Sequence, residues 1–289
     1  MTPVLPRAFA TVSDAGYFPG LWALLNSVHA YHGADLPVFV FDAGLTSRQR
    51  LALASASPLR GRLTVLPSQA PGAWETKQQS LAALLPLVRT VFLLDADLVL
   101  TSAMDDVFAK AEEGWIVSSR DGDESGDVVF DGEYARYSPG LVGRRMPNFN
   151  SGALCLDTRR HWDLCFLWGA ASESGTYSAL GGEPLRLPGH GDQGVLVALV
   201  ALLGKEKDLH LNGMSEWCDS WGTHPYRIVS RQEGRLEVIN GKTGRLQRLV
   251  HSSGPKWWTP EGVRDLERFG DKLECFRHFA AAEEAPALP

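Results

Sequence analysis

The chain has 289 residues, a length that suits either two average domains or one large α/β domain. It carries 28 Lys and Arg residues against 34 Asp and Glu residues, for a formal net charge of −6. This acidic balance argues against a general nucleic-acid-binding protein, which needs a surplus of positive charge to contact phosphates. A hydrophobic content of 44% excludes an intrinsically disordered chain.

The cysteine pattern and the apolar segments bear on the compartment. The four cysteines form no Cys-x-x-Cys pair, which argues against a zinc ribbon or a disulfide scaffold and suits a reducing compartment. The N-terminal residues lack the apolar segment of a signal peptide. The longest wholly apolar run, Val195 to Leu203, is much shorter than the ~20 residues of a membrane span. We therefore expect a cytoplasmic protein with no integral membrane segment.

Strands and helices alternate in the first third of the chain. Apolar strands are predicted at residues 8–12, 37–41, 62–66 and 90–94. Apolar residues at helical spacing predict helices at residues 20–31, 46–56 and 76–88, with Thr46 or Ser47 as the N-cap of the second. Strands joined by helical crossovers indicate an α/β fold with a mostly parallel sheet flanked by helices, in which ligands bind at the carboxyl ends of the strands.

The pattern is less regular in the rest of the chain. Residues 120–148, rich in Gly, Asp, Arg and Pro, are predicted to form a long loop excursion. A strand follows at residues 152–156, Thr158 is predicted to start a helix, and a further helix is expected at residues 194–203. The Asn-Gly pair at Asn240 indicates a β-hairpin over residues 235–250.

A C-terminal helix is predicted to begin at Thr259-Pro260-Glu261, because Pro suits the first helical position. We expect a main domain at residues 1–258 and this helix with its tail at residues 259–289. The helix has apolar residues at helical spacing, which favours packing on the main domain or on a second copy of the chain in a homodimer.

The most informative chemical feature is Asp95-Ala96-Asp97, directly after an apolar strand. Because side chains alternate along a strand, both carboxylates lie on one face. Two carboxylates can hold a hard divalent cation while leaving positions open for phosphate oxygens. A solvated strand end or a helix cap is the alternative interpretation of this common tripeptide.

His251 follows a predicted strand and precedes Gly254 and Lys256. A neutral imidazole is a good third ligand for a cation such as Mn²⁺. Gly254 permits close backbone approach, and Lys256 can meet a phosphate as a point charge. A histidine at this position is otherwise a surface residue.

Residues 189–194 match the Gly-x-Gly-x-x-Gly pattern, but Pro188 precedes them instead of a strand, which disfavours a dinucleotide site. Asp192 and Gln193 stand at the start of a predicted helix, either as site residues or as its cap.

The segment 148–152 could contact sugar hydroxyls or fix a turn. Several tryptophans could stack on sugars or lie in the core, namely Trp217, Trp221, Trp257 and Trp258.

Taken in order, these motifs resemble family 8 of the retaining glycosyltransferases, which has the GT-A fold and includes glycogenin and the lipopolysaccharide galactosyltransferases. The resemblance extends from about Ala8 to Trp258. It is carried by five motifs, which are Ala10-Thr11-Val12-Ser13 with Tyr17; Lys77; Phe92-Leu93-Leu94-Asp95-Ala96-Asp97; Phe149-Asn150-Ser151-Gly152 with Gly191-Asp192-Gln193-Gly194; and His251-Ser252-Ser253-Gly254 with Lys256. The last motif departs from the family pattern HxxGxxKPW, since Lys256 comes one residue early and is followed by Trp257.

The resemblance implies a role for each matching residue. The uridine would contact Thr11, Val12, Ser13 and Tyr17. The metal, Mn²⁺ or alternatively Mg²⁺, would be held by Asp95, Asp97 and His251. The donor sugar would contact Lys77 and Asn150, together with Asp192, and the donor-binding residues would also include Ala96 and Ser151. The diphosphate would contact Gly254 and Lys256. The catalytic residues would be Asp192 and Gln193, the latter near the anomeric carbon.

The resemblance implies transfer of a hexose from UDP-glucose or UDP-galactose to a hydroxyl of a saccharide, a lipid-linked sugar or a small molecule, with retention of configuration. One alternative is a sugar-phosphate nucleotidyltransferase, which is disfavoured because residues 11–20 contain no Lys or Arg. The other is a non-catalytic sugar-nucleotide-binding protein on the same scaffold. The presence of both aspartates, His251 and the Asp192-Gln193 pair argues against it.

Overall fold

The computed structural model describes residues 4–33, 35–68, 70, 72–120, 127–130, 139–172, 191–213, 217, 225–254 and 256–281. The helices are α1 (Phe18–His32), α2 (Ser47–Ala56), α3 (Ala73–Leu84), α4 (Asp105–Glu112), α5 (Trp162–Ser172), α6 (Gly191–Leu202), α7 (Pro260–Leu266) and α8 (Lys272–Ala280). Short 3₁₀ turns cover Pro139–Leu141, Glu206–Asp208 and Glu267–Phe269. The strands are β1 (Leu5–Ser13), β2 (Val38–Asp42), β3 (Leu63–Pro67), β4 (Val88–Asp95), β5 (Leu98–Leu100), β6 (Ile116–Ser119), β7 (Asp127–Val129), β8 (Arg145–Pro147), β9 (Ala153–Asp157), β10 (Leu209–Asn212), β11 (Tyr226–Gln232), β12 (Arg235–Asn240) and β13 (Leu249–His251).

The central sheet has the strand order β10-β6-β9-β4-β1-β2-β3. The four N-terminal strands β3, β2, β1 and β4 are parallel neighbours, and β10 is parallel to β6. Strand β9 runs antiparallel between β4 and β6. Helices cover both faces, so the predicted α/β fold with a mostly parallel sheet is confirmed.

Alternating side chains of the strands supply the two layers of the core. Leu93 and Leu154 face a cluster with α3, α5 and α6, whereas Phe92 and Cys155 face a cluster with α1 and α4. This period of two matches the pleat of a strand, and burial on both faces explains why the strands are almost continuously apolar.

The register of the strands positions the functional edge. Val12 of β1 pairs with Asp95 of β4 and with Phe41 of β2, so the parallel strands end at one edge of the sheet. Because β9 is antiparallel to β4, its first residue, Ala153, lies at that same edge opposite Leu94. Chain segments that follow β1 and β4 therefore meet the segment that precedes β9.

The predicted helices are present, but several of their boundaries differ from the prediction. Thr46 is the N-cap of α2 and forms a capping box with Gln49, as expected. Helix α3 ends at Leu84, not at residue 88, because Val88 already belongs to β4 and pairs with Leu5. Thr158 does not start a helix, since its backbone N–H donates to the Arg89 carbonyl and ties it to β4, and α5 begins at Trp162.

The predicted hairpin over residues 235–250 is confirmed only next to its turn, where Ile239 pairs antiparallel with Leu246, and the rest of it is wrong. Strand β12 pairs with β11, which precedes it, and β13 pairs with β5, so His251 lies opposite Leu98. Asn240 does form a turn, in which its side-chain oxygen accepts hydrogen bonds from the backbone N–H groups of Lys242 and Thr243. The apolar strand after this turn is buried against β5 instead of β12.

The C-terminal segment opens as predicted, with Thr259 as the N-cap and Pro260 at the first turn of α7. It forms two helices instead of one, separated at Gly270, which has a φ of 61°. Helix α8 packs on α1, where the Asn26 side-chain amide donates to the Phe279 carbonyl at 2.7 Å. The expected packing of this segment on the body of the protein is confirmed.

Part of the loop excursion is regular. Strands β7 and β8 pair antiparallel within the predicted excursion at 120–148, while residues 121–126 and 131–138 lie outside the described residues. Trp221 and residues 189–190 of the Gly-rich motif lie outside them as well. Among the described helices, none is long and apolar enough to cross a membrane.

Candidate functional site

A cleft of about 540 Å³ opens at the carboxyl edge of the parallel strands. Most residues that the sequence singles out line this cleft, namely Val12, Ser13, Tyr17, Lys77, Asp95, Ala96, Asp97, Asn150, Ser151, Asp192, Gln193, His251 and Lys256. Thr11 and Gly254 are not among the lining residues. Thr11 is buried in β1, and Gly254 lies in the loop after β13 with a φ of 78°.

Asp95, Asp97 and His251 come together although 154 positions separate Asp97 from His251. One ligand atom from each residue lies within 4.8 Å of the other two. The β5–β13 ladder explains this approach, because His251 ends β13 opposite the start of β5. The Ser252 N–H also donates to the Asp97 carbonyl at 2.9 Å, which fixes the two segments.

Asp97 is the centre of one ionic cluster, which we call the Lys256 group (Lys256, Asp97, His251 and Ser252). The imidazole Nε2 lies 3.1 Å from Asp97 Oδ1, and Lys256 Nζ lies 2.5 Å from Asp97 Oδ2 and 3.0 Å from the Ser252 carbonyl. Burial opposes ionisation of Asp97, but its contacts with His251 and Lys256 outweigh this effect and hold the pKa of Asp97 well below its ordinary value.

A second cluster, the Lys77 group (Lys77, Asp95, Asp192 and Ser151), lies on the other side of Asp95. Lys77 Nζ lies 2.6 Å from Asp95 Oδ1, 2.7 Å from Asp192 Oδ2 and 3.1 Å from Ser151 Oγ. The Ser151 hydroxyl donates to Asp192 at 2.7 Å. Burial alone would lower the pKa of Lys77, but the two carboxylates raise it above its ordinary value.

The start of α6 brings Asp192 into this group. The Trp168 indole of α5 donates to the Asp192 carbonyl at 3.1 Å, which fixes the first turn of α6. Burial opposes ionisation of the Asp192 carboxyl, but Lys77 and the Ser151 hydrogen bond hold its pKa below the ordinary value. Gln193, the next residue, accepts a hydrogen bond from the Ser151 N–H at 3.3 Å.

The Asp95–Asp97–His251 cluster fits a divalent cation in its chemistry. Two carboxylate oxygens and one imidazole nitrogen form a mixed donor set that suits Mn²⁺ and accommodates Mg²⁺. Ligand atoms that share such an ion lie up to roughly 4 Å apart, so small side-chain movements bring these three onto one cation. The Asp95 side chain is half-buried and reaches the cleft.

Two glycines allow the backbone to pack tightly around the aspartates. A Cβ on Gly152 would lie 2.7 Å from both Asp95 Oδ2 and Asn150 Oδ1. A Cβ on Gly20 would lie 2.5 Å from the Ala96 carbonyl and 2.8 Å from the Trp258 ring. Asp95 and the Ala96 carbonyl are thus each packed so closely against a glycine that a larger residue at either glycine would force a shift.

The aromatic residues divide between core and cleft. Trp217 is buried and stacks on Phe92, and Trp257 stacks on Phe276, so both belong to the packed interior. Trp258 packs edge-on against Tyr17, a residue of the cleft wall.

Sequence reasoning missed five lining residues, which are Asp14, Gly72, Ala73, Trp74 and Glu75. Trp74 has an exposed fraction of 67% and stands on α3, one turn before Lys77. Among the described residues its side chain has no hydrogen-bond or ring partner. The sequence shows a tryptophan three positions before Lys77, but it does not show that this side chain is exposed.

No protein-family model matches the chain, and no curated protein matches its sequence. Solved structures do match. The galactosyltransferase LgtC, solved in complex with donor and acceptor sugar analogs, aligns with a TM-score of 0.59 over 98% of this chain and 97% of its own, at 15% identity. The chain has a GT-A-like fold. The bifunctional glycosyltransferase WbbM aligns with a TM-score of 0.54 over 96% of this chain and 52% of its own, at 11% identity.

Proposed function

We propose that this protein is a metal-dependent retaining glycosyltransferase that moves a hexose from a UDP-sugar to an acceptor hydroxyl. The observation that carries the proposal is the convergence of Asp95, Asp97 and His251 beside the carboxylate of Asp192, in one cleft at the carboxyl edge of the sheet. The GT-A-like fold that the chain shares with LgtC, a galactosyltransferase, supports it.

The reaction breaks the bond between the anomeric carbon and the diphosphate oxygen and forms a bond from the acceptor oxygen to the same carbon. Charge builds up on both sides of the breaking bond. When bound, a divalent cation would neutralise part of the negative charge on the leaving diphosphate. Lys256, at the same end of the cleft, would add a second positive charge there.

Asp192 is suited to the other side of the breaking bond. Its carboxylate is ionised, buried and held by Lys77 and the Ser151 hydroxyl, so it stays a fixed negative charge. Such a charge stabilises the positive character of the anomeric carbon without reorganisation. A lowered pKa makes Asp192 a poor proton acceptor. The proton of the acceptor hydroxyl would therefore pass to the departing diphosphate oxygen on the same face, which retains configuration.

The donor can be tested by thermal unfolding with a panel of nucleotides, each with and without Mn²⁺. A donor at ~100 times its dissociation constant adds about 2.7 kcal/mol to the free energy of unfolding. We expect this gain with UDP and with UDP-glucose or UDP-galactose in Mn²⁺, and no gain with NAD or ATP. Release of UDP from the responding sugar nucleotide then measures turnover, with and without added acceptor sugars.

Matched variants separate the metal site from general charge effects. Asp97→Asn removes a carboxylate of the cluster and is expected to abolish the Mn²⁺-dependent gain, whereas Asp105→Asn alters an exposed aspartate on α4 and should leave it intact. Full UDP release after exhaustive chelation would refute metal dependence. Release of pyrophosphate from UTP and a hexose 1-phosphate would instead identify a nucleotidyltransferase.

A further inference from the structure

The ammonium of Lys256 pairs with a carboxylate of the Asp95–Asp97–His251 cluster. Its ammonium lies 2.5 Å from Asp97 Oδ2, while Asp97 Oδ1 lies 3.1 Å from the imidazole of His251. Both oxygens of this carboxylate are therefore engaged by side chains of the chain itself. A divalent cation that binds here meets a carboxylate whose negative charge is already largely compensated.

The charges of the Lys77 group and the Lys256 group can be counted together. Asp95, Asp97 and Asp192 contribute three negative charges, and Lys77 and Lys256 contribute two positive charges, which leaves −1 when His251 is neutral. Without Lys256 the same cluster would carry −2. Since the attraction of a divalent cation follows the charge around it, the ammonium of Lys256 weakens metal binding.

The two lysines differ in how firmly they are held. Lys77 is on α3, with 8% of its side chain exposed, and contacts two carboxylates and a hydroxyl. Lys256 follows β13 in a loop, with 18% of its side chain exposed, and its ammonium lies over the face of the Tyr17 ring at 5.1 Å. Lys256 borders the open cleft, so its flexible side chain can turn from Asp97 toward a ligand.

We propose, on the basis of the proposed function, that Lys256 is a movable counter-charge which pairs with Asp97 until a nucleoside diphosphate binds and then transfers to that diphosphate. Its departure restores the negative charge of Asp97, so the cation and the diphosphate bind with positive cooperativity. By linkage, each ligand raises the affinity for the other by the same factor. The role of Lys256 is thus to hold metal affinity low while the donor is absent.

The test is the dissociation constant of Mn²⁺ without nucleotide, followed by the electron paramagnetic resonance signal of free Mn²⁺. Lys256→Met removes the counter-charge and is expected to tighten Mn²⁺ binding at least fivefold. Lys256→Arg keeps the charge and should bind Mn²⁺ as the wild type does. Lys110→Met removes a half-buried lysine of α4 that pairs with the exposed Glu113, and it serves as the remote control.

Repeating the titration with saturating UDP measures cooperativity. The wild type should bind Mn²⁺ at least tenfold more tightly with UDP, after correction for Mn²⁺ that UDP binds in solution, and Lys256→Met should show a smaller factor. A Lys256→Met protein that folds, by thermal unfolding, yet binds Mn²⁺ without nucleotide within twofold of the wild type overturns the inference alone. Absence of Mn²⁺ binding by every form, with and without UDP, overturns the proposed metal-dependent function as well.

Discussion

The Lys77 group and the Lys256 group each pair a lysine with one of the two aspartates of Asp95-Ala96-Asp97, but they are built differently. The first is formed by the main sheet and by α3 and α6, which pack on it. The second depends on the short β5–β13 ladder and the loop that follows. We infer from this comparison that the Lys77 group is a fixed wall of charge on one side of the cleft. On the other side, Lys256 can change its ionic partner when a ligand binds.

The largest expected effect concerns the fixed wall. Asp192→Asn keeps the shape of the side chain but removes its charge, and we expect turnover to fall by about 10²- to 10³-fold. Donor binding, measured by the thermal shift with the UDP-sugar and Mn²⁺, should stay nearly unchanged. Unchanged turnover would remove Asp192 from the catalytic residues and leave the Lys77 group with a structural role.

A glycine substitution tests whether Asp95 must stay in place between the two groups. Gly152→Ala places a methyl group 2.7 Å from Asp95 Oδ2 and from Asn150 Oδ1, so both side chains must move. We expect a loss of about 1–3 kcal/mol in the free energy of unfolding and at least a tenfold drop in turnover. Gly61→Ala, where an added Cβ meets nothing within 4 Å, is the control. Equal activity of the two variants would contradict a tightly packed Asp95.

Trp74, an exposed indole that lines the cleft beside Lys77, is a candidate contact for the acceptor sugar. Trp74→Ala is expected to raise the KM for an acceptor sugar about tenfold, which corresponds to ~1.4 kcal/mol, because the exposed indole would lose contact with it. Hydrolysis of the donor by water should not change. Trp162→Ala removes an indole of similar exposure, 60% against 67%, on α5, away from the residues that line the cleft. A KM that changes equally in both variants would deny Trp74 an acceptor role.

The smallest expected effect is on stability and concerns the scaffold behind the Lys256 group. Burial lowers the pKa of His32, whose Nε2 accepts a hydrogen bond from the Met104 N–H between β5 and α4. The unfolded chain therefore binds this proton first, and stability present above pH 6.5 is lost as the pH falls below it. The slope cannot exceed about 1.4 kcal/mol per pH unit for one proton.

Denaturant unfolding at several pH values measures this slope. His32→Gln should reduce it, while His161, whose pKa burial also lowers, maintains part of it. His29→Gln changes an exposed histidine on the same helix and should leave the slope as in the wild type. An identical slope in the wild type and in His32→Gln would show that this proton does not contribute.

Lys77 and Asp95 lie on elements that could be predicted from sequence, because the apolar strands and amphipathic helices of the first third carry strong periodic signals. The place of Asp192 and Ser151 beside them was implied by the family resemblance. The periodic signals placed Asp95 and Asp97 at a strand end. The approach of His251 to them was implied by the family resemblance alone, since no local pattern indicates that β13 pairs with the three-residue strand β5. The Asn-Gly turn at Asn240 gave a correct local signal but a wrong partner strand.

The ionic contacts of the Lys256 group could not be predicted from the sequence. The position of Lys256 one residue early in its motif indicated a departure, but its pairing with Asp97 depends on the loop conformation and on Trp258, which packs against Gly20 and Tyr17. Exposure of Trp74 likewise depends on how the neighbouring segments pack. Sequence patterns report local geometry, whereas these features come from contacts between distant segments.

The tight fit of α7 has a practical consequence. A Cβ on Gly262 would overlap the Lys256 carbonyl oxygen, so the helix lies directly on the backbone that carries this lysine. Shortened versions of the protein that stop before Thr259 would retain every strand of the central sheet yet lose the support of that loop. A bulky C-terminal fusion that disturbs α7 and α8 is expected to weaken donor binding, because these helices support the loop that carries Lys256. Tags are therefore better attached at the N-terminus.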